Sequence, residues 1–334
     1  MQIAILTPTF NYYSGIDRVV QLQAEDYVKK RNRVTVIALE AKIKPRKYKV
    51  IELGIPNNSF LQRIYRLFFF LDFKKLNYYK KLKNFDIVIS HFYPMNWLAY
   101  LAKKHYKIKY IYHNHGINTT GLADNIFQKL YMKLFLFFNN ITLKNVDEAF
   151  SVSGYLRKQL KKESKIDSKV IYNKIDKKRF NKNIKGDKII KKYNLKNKKV
   201  LLYVGRIAPH KGIHLLLKSF NIIKKEIPNS KLLIVGKPTF NNYSKTLKRL
   251  ANKDVIFTGF VEDIDLPYYY AACSIYTTAS LWEGYNLPAG EAQACNKPVV
   301  AFNIGSHPEI VKKGILVKEK DIKEFADVVI KLLK

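Results

Sequence analysis

Cysteine is scarce in this chain, which contains only Cys273 and Cys295 among its 334 residues. Two cysteines are too few for a disulfide scaffold or a four-cysteine zinc site. We therefore expect both to be small buried residues of a protein from a reducing compartment. Hydrophobic residues make up 47% of the sequence, which supports a sizeable core and excludes an intrinsically disordered chain.

Long hydrophobic runs are also missing. Uninterrupted runs such as 67–71 and 134–138 are far shorter than the ~18 apolar residues that a membrane-spanning helix needs. Residues 1–7 have no basic leader and favour a first β-strand over a secretory signal. The sequence thus predicts neither a spanning helix nor a targeting peptide.

Acidic residues are few relative to basic ones. The chain has 26 Asp and Glu and 61 Lys and Arg, which gives a formal net charge of +35. A charge of this size indicates partners and solubility, not fold. Nucleic acid, an anionic membrane surface and acidic small molecules such as nucleotide sugars are the three candidate partner classes. Because the lysines are scattered along the whole chain, a lysine-biased proteome explains the charge equally well.

The hydrophobic pattern alternates between strand and helix, which predicts an α/β fold of doubly wound, mostly parallel sheets. The length suits two domains of ~100–200 residues each. We predict a Rossmann-like domain over residues 1–175, a polar, lysine-rich linker over 176–198 and a second Rossmann-like domain over 199–334. Ligands bind outside the carboxyl ends of such strands, so we expect the chemistry where the two domains face a central cleft.

Individual elements follow from the same pattern. The predicted strands are 2–7, 33–39, 85–90, 108–113, 147–152, 169–172, 200–204, 231–235, 255–257, 274–277, 298–301 and 315–317. The predicted helices are 14–30, with Ser14 as its N-cap, 97–104, 155–162, 213–225, 243–252, 266–272, 288–295 and 321–333.

Two glutamates of the second half stand in a pattern that suits a nucleotide. Glu283 lies in a predicted loop and Glu291 early in a predicted helix, with seven residues between them. The N–H groups around Asn286 and Leu287 then lie at a helix N-terminus, which is a ready site for an anion such as phosphate.

Two cations follow Gly205, which comes directly after the predicted strand 200–204. Arg206 and Lys211 lie on the loop before the next helix. Arginine offers a planar fork of donors and lysine a point charge, so the pair is suited to clamp a pyrophosphate without a metal ion.

These segments resemble family 4 glycosyltransferases, which have the GT-B fold. VLLYVGRIAPHKGIHLLLKSF is similar to the family's phosphate-binding segment, EGYNLPAGE to its E-x7-E motif and ACNKPVVAFNIGSHPEIV to the continuation of that motif. In the first half, residues 14–18 resemble the glycine-containing loop after the first strand, and VDEAFSVSGYLRKQL and VIYNKIDKKRF resemble the segments before the interdomain hinge. The similarity covers nearly the whole chain. It implies a reaction that retains the anomeric configuration of the sugar and that needs neither a metal ion nor a cofactor.

The resemblance implies a role for each charged candidate. Glu291 binds the ribose hydroxyls of the donor nucleotide, and Glu283 binds hydroxyls of the donor sugar. Gly205 lies at the donor diphosphate, whose developing negative charge is neutralised by Arg206 and Lys211. The leaving phosphate helps to deprotonate the acceptor, so no protein nucleophile is assigned.

Backbone positions are implied as well. The backbone at Asn286 and Leu287 holds phosphate, and Gly15 lets the first loop approach the donor phosphates or the acceptor. His115 matches the family's His-Gly that contacts the donor sugar, and His113 is the competing assignment. A structural histidine at the strand end is the remaining alternative for His115. The structural histidines expected elsewhere are His210 and His307.

The chain also departs from the family pattern. Asn173-Lys174 stands where Asn-Gly is usual, and Asn296 stands where Gly is usual, although Asn tolerates the left-handed conformation. The sequence ends at Lys334, after the helix that in the family precedes a crossover onto the first domain. We expect this end to alter domain closure more than donor binding.

Two short patterns resemble metal sites. Asp263-Ile264-Asp265 mimics a D-x-D signature, but it precedes a predicted helix, where acidic residues are favoured. His113-Asn114-His115 has no third ligand at a useful spacing. We therefore expect no metal site.

Two basic aromatic segments, 60–85 and 126–144, interleave Phe, Tyr and Leu with Lys and Arg. We expect helices whose apolar faces pack on the sheet. The functional interpretation is an anionic membrane surface beside the acceptor site, to which each Lys or Arg contributes ~1 kcal/mol of attraction. Aromatics in a basic groove also suit single-stranded nucleic acid, but no nucleic-acid motif is present, and we predict no such partner.

The sequence therefore predicts a hexosyltransferase with a UDP- or GDP-linked donor. The predicted acceptor is a lipid-linked glycan, a glycolipid or an envelope polysaccharide. The predicted location is the cytoplasm, peripheral on the inner face of the cell membrane. Two alternatives stay open, namely a soluble acceptor and a non-catalytic nucleotide-binding module that scaffolds a partner.

Overall fold

The computed structural model describes residues 1–11, 15–116 and 126–334. The chain divides into two compact units, residues 1–173 and residues 174–334. Each unit is an α/β structure built on one parallel sheet.

The described residues of the first unit contain a seven-stranded sheet with the order β3-β2-β1-β4-β5-β6-β7, and every pair is parallel. Its strands are β1 (Gln2–Phe10), β2 (Arg33–Ala41), β3 (Lys49–Glu52), β4 (Ile87–Ser90), β5 (Lys109–Asn114), β6 (Glu148–Ser151) and β7 (Lys169–Val170). Along β1, Ala4 and Leu6 belong to one buried cluster, and Ile3 and Ile5 belong to another. Both faces of this strand are therefore buried, which explains its nearly continuous apolar sequence.

Helices cover this sheet. They are α1 (Gly15–Lys29), α2 (Ser59–Leu67), α3 (Phe73–Leu76), α4 (Asn96–Tyr106), α5 (Ile126–Leu143) and α6 (Gly154–Ser164), with 3-10 turns at Phe69–Leu71 and Asn77–Asn84. Asn58 begins α2 by accepting hydrogen bonds from the N–H groups of Phe60 and Leu61, and Ser153 begins α6 in the same way. Ser14, the N-cap expected for α1, lies outside the described residues.

The second unit contains a six-stranded sheet with the order β10-β9-β8-β11-β12-β13, again with every pair parallel. Its strands are β8 (Lys199–Val204), β9 (Ser230–Val235), β10 (Val255–Gly259), β11 (Ile275–Thr278), β12 (Val299–Phe302) and β13 (Gly314–Val317). Its helices are α7 (Asp187–Lys192), α8 (Ile213–Glu226), α9 (Asn241–Leu250), α10 (Leu266–Ala272), α11 (Leu287–Ala294), α12 (His307–Ile310) and α13 (Ile322–Leu333), with a 3-10 turn at Pro209–Lys211. Asn296, just after α11, has a φ of +59°, the left-handed conformation that asparagine tolerates.

The segment 176–198, which the sequence analysis assigns to a linker, packs as part of the second unit. It carries α7, and its side chains Phe180, Ile189 and Leu195 are buried with Val200 and Leu202 of the sheet. Apolar residues spaced widely among lysines are enough to anchor this segment, because each one enters the same core.

The strand order reverses at one place in each sheet. In the first unit β1 lies between β2 and β4, and in the second unit β8 lies between β9 and β11. The chain leaves these neighbouring strands toward opposite sides, so a crevice opens at their carboxyl ends, where doubly wound sheets bind ligands. The carboxyl ends of β1 and β4, and those of β8 and β11, are therefore where a ligand site is expected.

Candidate active site

The loops that follow β8 and β11 lie against each other at the carboxyl edge of the second sheet. Leu281 N–H donates to the carbonyl of His210 over 2.8 Å. Gly212 has a φ of +63°, and a Cβ built on it would lie 1.8 Å from the carbonyl oxygen of Ala279. Glycine is required here, because any side chain would force the two loops apart. The contact brings the charged residues of the two loops together.

Lys211 and Glu283 form a buried ion pair between these loops. Lys211 Nζ lies 2.7 Å from Glu283 Oε1, and the two side chains are 16% and 8% exposed. Ser280 Oγ donates to the same oxygen over 2.9 Å. Burial alone would raise the pKa of Glu283, but the Lys211 ammonium and the Ser280 hydroxyl outweigh it and hold that pKa below its usual value. Glu283 is therefore an ionised hydrogen-bond acceptor.

Gly205 and Arg206 lie beside this pair in sequence, directly after β8. Gly205 has a φ of +153°, and its carbonyl oxygen would lie 1.9 Å from a Cβ on Gly236, so the backbones after β8 and β9 pass in close contact. The Arg206 carbonyl accepts a hydrogen bond from the Tyr203 hydroxyl over 3.0 Å, and the Arg206 side chain is exposed. The backbone of Arg206 is thus fixed while its guanidinium stays accessible to an anion.

Asn286 and Leu287 lie at the N-terminus of α11, as the sequence predicts. The Asn286 side chain is the N-cap and accepts a hydrogen bond from Ala289 N–H over 3.1 Å. Pro288 has no N–H to offer. The N–H of Leu287 donates to no acceptor within the described residues, so it is the first-turn donor left for an anion.

Glu291 lies in the second turn of α11, and its orientation is fixed by a buried tyrosine. The Tyr270 hydroxyl donates to Glu291 Oε2 over 2.7 Å. Burial, together with the charge of Glu291, keeps the pKa of Tyr270 well above its ordinary value, so the hydroxyl remains a donor.

His115 belongs to a histidine cluster at the carboxyl ends of β4 and β5 in the first unit. His115 Nε2 lies 2.9 Å from His91 Nδ1, and His91 Nε2 lies 2.7 Å from Gln23 Oε1. Gln23 Nε2 then reaches His113 Nε2 at 3.1 Å. Burial lowers the pKa of His113 to about 4 and the pKa of His91 well below its ordinary value, so the cluster is neutral at pH 7.

Gly15 is the first residue of α1, directly after residues 12–14, which lie outside the described part of the chain. Asp17, in the first turn of this helix, is buried and accepts a hydrogen bond from Thr9 Oγ1 over 2.8 Å. This bond ties the start of α1 to the end of β1.

Both aspartates of the D-x-D pattern form ion pairs. Asp263 pairs with Arg179 at 2.6 Å and Asp265 pairs with Lys188 at 2.9 Å, and α10 begins at Leu266 directly after them. Across residues 1–11, 15–116 and 126–334, no group of three or more His, Cys, Asp or Glu side chains is arranged to hold a metal ion. Cys273 and Cys295 are both free and buried.

The structure adds residues that the sequence analysis did not single out. Ser280 and Tyr270 hold the two glutamates, His91 contacts His115, and Gln23 contacts His91 and His113. His307, which the sequence predicts only as a structural histidine, contacts Asn286. The sequence places Ser280 and His91 just after β-strands, which is the signal that could have found them. The others have no local signal, because only tertiary packing brings them to their partners.

Two family models match the chain. Residues 185–334 match the model described as glycosyl transferases group 1. Residues 13–179, half of the chain, match the model described as glycosyltransferase family 4.

Several curated relatives are named as glycosyltransferases, and each matches this chain over part of its length. The O-antigen chain mannosyltransferase B of Escherichia coli is 32% identical over 39% of this chain and 35% of its own length. A GDP-mannose-dependent phosphatidylinositol monomannoside mannosyltransferase of Mycobacterium tuberculosis is 30% identical over 43% of this chain and 40% of its own. The chain spans about half or less of the length of these and other curated relatives.

Among solved structures, Anabaena HepE in complex with UDP and glucose superimposes with a TM-score of 0.82. The match has 19% sequence identity and covers 100% of this chain and 90% of that one. At this identity the likeness establishes the fold alone, namely two α/β units that are each built on a parallel sheet.

Proposed function

This chain belongs to glycosyltransferase family 4 and has the GT-B fold, and we propose that it is a retaining hexosyltransferase that uses a UDP- or GDP-linked sugar. The observation that carries the proposal is the Lys211–Glu283 ion pair, held at the carboxyl edge of the second sheet next to Arg206. Two cations, one ionised carboxylate and a helix N-terminus suit the charges and hydroxyls of a nucleotide sugar.

Charge stabilisation is the chemistry that these residues supply. Negative charge develops on the leaving diphosphate as the bond to the sugar breaks. Lys211 and the N–H of Leu287 are fixed donors for that charge, and fixed donors need no reorganisation at the moment of reaction. The accessible Arg206 guanidinium adds a second positive charge. Ionised Glu283 accepts hydroxyls of the sugar. The leaving phosphate takes part in removing the acceptor proton, and no protein nucleophile is assigned.

Nucleotide recognition is assigned to Glu291 and its surroundings. The carboxylate held by Tyr270 accepts the ribose hydroxyls, and Gly205 allows close approach of the diphosphate to the backbone. In the first unit we assign His115 to the donor sugar and Gly15 to the approach of the first loop. Neutral His115 is suited to exchange a hydrogen bond with a hydroxyl. The reaction is proposed to be metal-independent, with addition of a chelator expected to leave the rate unchanged.

The proposed acceptor is a lipid-linked glycan, a glycolipid or an envelope polysaccharide. This follows the mycobacterial relative, whose name gives phosphatidylinositol monomannoside as its acceptor, and the O-antigen relative. In the described part of the chain, no helix is long and apolar enough to cross a membrane.

A basic apolar surface on the first unit supports this proposal. We define it by five exposed apolar side chains and three exposed cations: Phe60, Leu61, Phe127, Leu130, Phe137, Arg63, Lys129 and Lys133. Helices α2 and α5 contact each other, since the Tyr131 hydroxyl of α5 donates to the Arg63 carbonyl of α2 over 3.2 Å. Phe60 and Phe127 are 67% and 79% exposed.

The positive charge of this surface favours binding to an anionic membrane. Neither α2 nor α5 contains Asp or Glu, and each Lys or Arg near such a surface contributes ~1 kcal/mol. Exposed Phe and Leu add the energy of insertion into the interface. We propose that the protein works at the inner face of the cell membrane, with its donor drawn from the cytoplasm and no nucleic-acid partner.

The proposal is tested by following donor breakdown directly. The protein is incubated with UDP-glucose, UDP-galactose and GDP-mannose, with either vesicles that contain bacterial lipid extract or water-soluble sugars as the acceptor. The first-formed anomer of the product is observed by proton NMR. One donor should be consumed, with its configuration retained. An inverted product would overturn retention, and full activity on water-soluble acceptors alone would favour the soluble-acceptor alternative.

A further inference from the structure

Asn286, at the N-terminus of α11, is held by a fully buried histidine. The Asn286 amide nitrogen Nδ2 lies 3.0 Å from His307 Nε2, and His307 Nδ1 lies 2.7 Å from the carbonyl oxygen of Phe302. His307 is 0% exposed and Asn286 is 3% exposed. The imidazole therefore connects the end of β12 to the N-cap of α11.

The hydrogen bonds fix the tautomer of His307 and the orientation of the amide. A carbonyl oxygen only accepts, so Nδ1 of His307 carries the proton and donates to Phe302. Nε2 is then an acceptor, and it faces the Nδ2 donor of Asn286. The amide oxygen of Asn286 is left to accept from Ala289 N–H at 3.1 Å. Rotating the amide would break both of its bonds at once.

The same segment also supports Glu283. Ser306 N–H donates to the backbone carbonyl of Glu283 over 3.1 Å. Gly305 has a φ of +52°, and a Cβ on it would lie 2.4 Å from that carbonyl oxygen. Residues 305–307 therefore lie directly beneath the loop that runs from Glu283 to Asn286.

We propose that His307 is a positioning residue for the donor diphosphate. It acts through Asn286, whose amide it orients, and thereby sets the backbone at Asn286 and Leu287, where the N–H of Leu287 meets phosphate. His307 does not touch the donor, because it is fully buried and both of its ring nitrogens are engaged within the protein. The inference rests on the proposed function, in which a nucleoside diphosphate binds at this end of α11.

Two substitutions separate the bonds of His307. In His307→Asn the side-chain amide occupies the place of Nδ1, so it keeps the bond to Phe302 and loses the link to Asn286. In His307→Gln the amide reaches the place of Nε2, where its oxygen accepts from Asn286. Titration calorimetry with UDP and GDP should show affinity about fivefold weaker for His307→Asn, the size of one lost hydrogen bond, and affinity near that of the parent for His307→Gln.

A double-mutant cycle tests whether the effect passes through Asn286. Asn286→Ala should weaken nucleoside diphosphate binding, and adding His307→Asn to it should cause no further loss. If His307→Asn weakens nucleotide affinity in the Asn286→Ala background as much as it does in the parent, His307 acts by another route and the proposal is overturned.

Folding is checked by circular dichroism and thermal unfolding of each variant. If His307→Asn does not fold, Asn286→Ser replaces it, because the shorter hydroxyl still caps Ala289 but loses the link to His307. Unchanged nucleotide affinity in the folded variant overturns the positioning role. If the parent protein itself binds no nucleoside diphosphate, the proposed function fails instead, and the two failures are thereby distinguished.

Discussion

Lys211 Nζ donates to Glu283 Oε1 over 2.7 Å, across the two loops that follow β8 and β11. The proposed function gives these two residues different ligands, diphosphate for the lysine and sugar hydroxyls for the glutamate. Each neutralises the other, so that two mostly buried charges are paired with each other. The pair thus both prepares the site and stabilises the second unit.

The first prediction concerns this ion pair. Lys211→Met should lower kcat by about 100-fold or more, because a fixed charge that stabilises the leaving group is lost. It should also lower the free energy of unfolding by about 3 kcal/mol, since Glu283 is left buried without its cation. Donor turnover and urea unfolding measure the two effects. Lys218→Met, at an exposed position on α8, is the matched control and should change neither.

A second prediction concerns the buried tyrosine behind Glu291. Tyr270→Phe keeps the ring and removes the hydroxyl that donates to Glu291 Oε2. The donor KM should rise about threefold to tenfold with kcat nearly unchanged, because one hydrogen bond that orients the carboxylate is lost.

The matched control for this prediction is the neighbouring residue. Tyr269→Phe removes a hydroxyl that contacts Tyr193 at 2.9 Å and should leave the donor KM unchanged. Equal effects of the two substitutions would contradict a specific role for Tyr270. The Tyr270→Phe variant should bind a ribonucleotide more weakly than the parent does. For a 3′-deoxyribose nucleotide, this difference in affinity between the variant and the parent should be smaller.

The fold was predictable where burial dictates sequence. The helix Leu266–Ala272 has the bounds predicted for it, and the strand Lys199–Val204 begins one residue earlier than predicted. In both, apolar residues lie between clear polar boundaries. The strand Lys49–Glu52 was missed, because this short edge strand is only partly buried and shows no apolar run. The segment 176–198 is polar and lysine-rich with only weak apolar signals, although Phe180 and Ile189 are buried.

The candidate site was predictable only in its charged residues. Glu283 and Lys211 stand in recognisable motifs, and their loops are predicted at the ends of strands. Their supports, Ser280 and Tyr270, come from positions whose neighbours are set by packing between distant segments. Sequence periodicity describes which face of an element is buried, but it does not say which side chain across the core meets it.

A third prediction concerns acid stability of the first unit. The pKa of His113 is lowered from 6.5 to about 4 by burial, so the folded state binds fewer protons than the unfolded state between these values. The contribution of neutral, buried His113 to the free energy of unfolding is therefore present above pH 6.5 and is lost as the pH falls through about 4. His113→Asn should therefore reduce the loss of unfolding free energy between pH 7 and pH 4, measured by urea titration. An identical pH profile in the parent and the variant would contradict the assignment.

A fourth prediction concerns the basic apolar surface. Phe127→Ser combined with Lys129→Glu should reduce flotation with vesicles that contain anionic lipid, because insertion energy and attraction are both lost. High salt should weaken binding of the parent protein. Phe240→Ser, at an exposed aromatic of the second unit, is the control and should float like the parent. Equal binding of all variants, or no binding of the parent at low salt, would remove the membrane proposal.

The most direct test of the account is a thermal-shift panel with UDP, GDP, ADP and their hexose conjugates, performed on the parent protein and on Glu291→Ala. A ligand at one hundred times its Kd stabilises the folded state by ~2.7 kcal/mol, and each kcal/mol raises Tm by ~2–4 °C for units of this size. The account predicts a shift of several degrees with one base, lost in Glu291→Ala. No shift with any nucleotide, or an equal shift in the variant, would contradict a donor site built around Glu291.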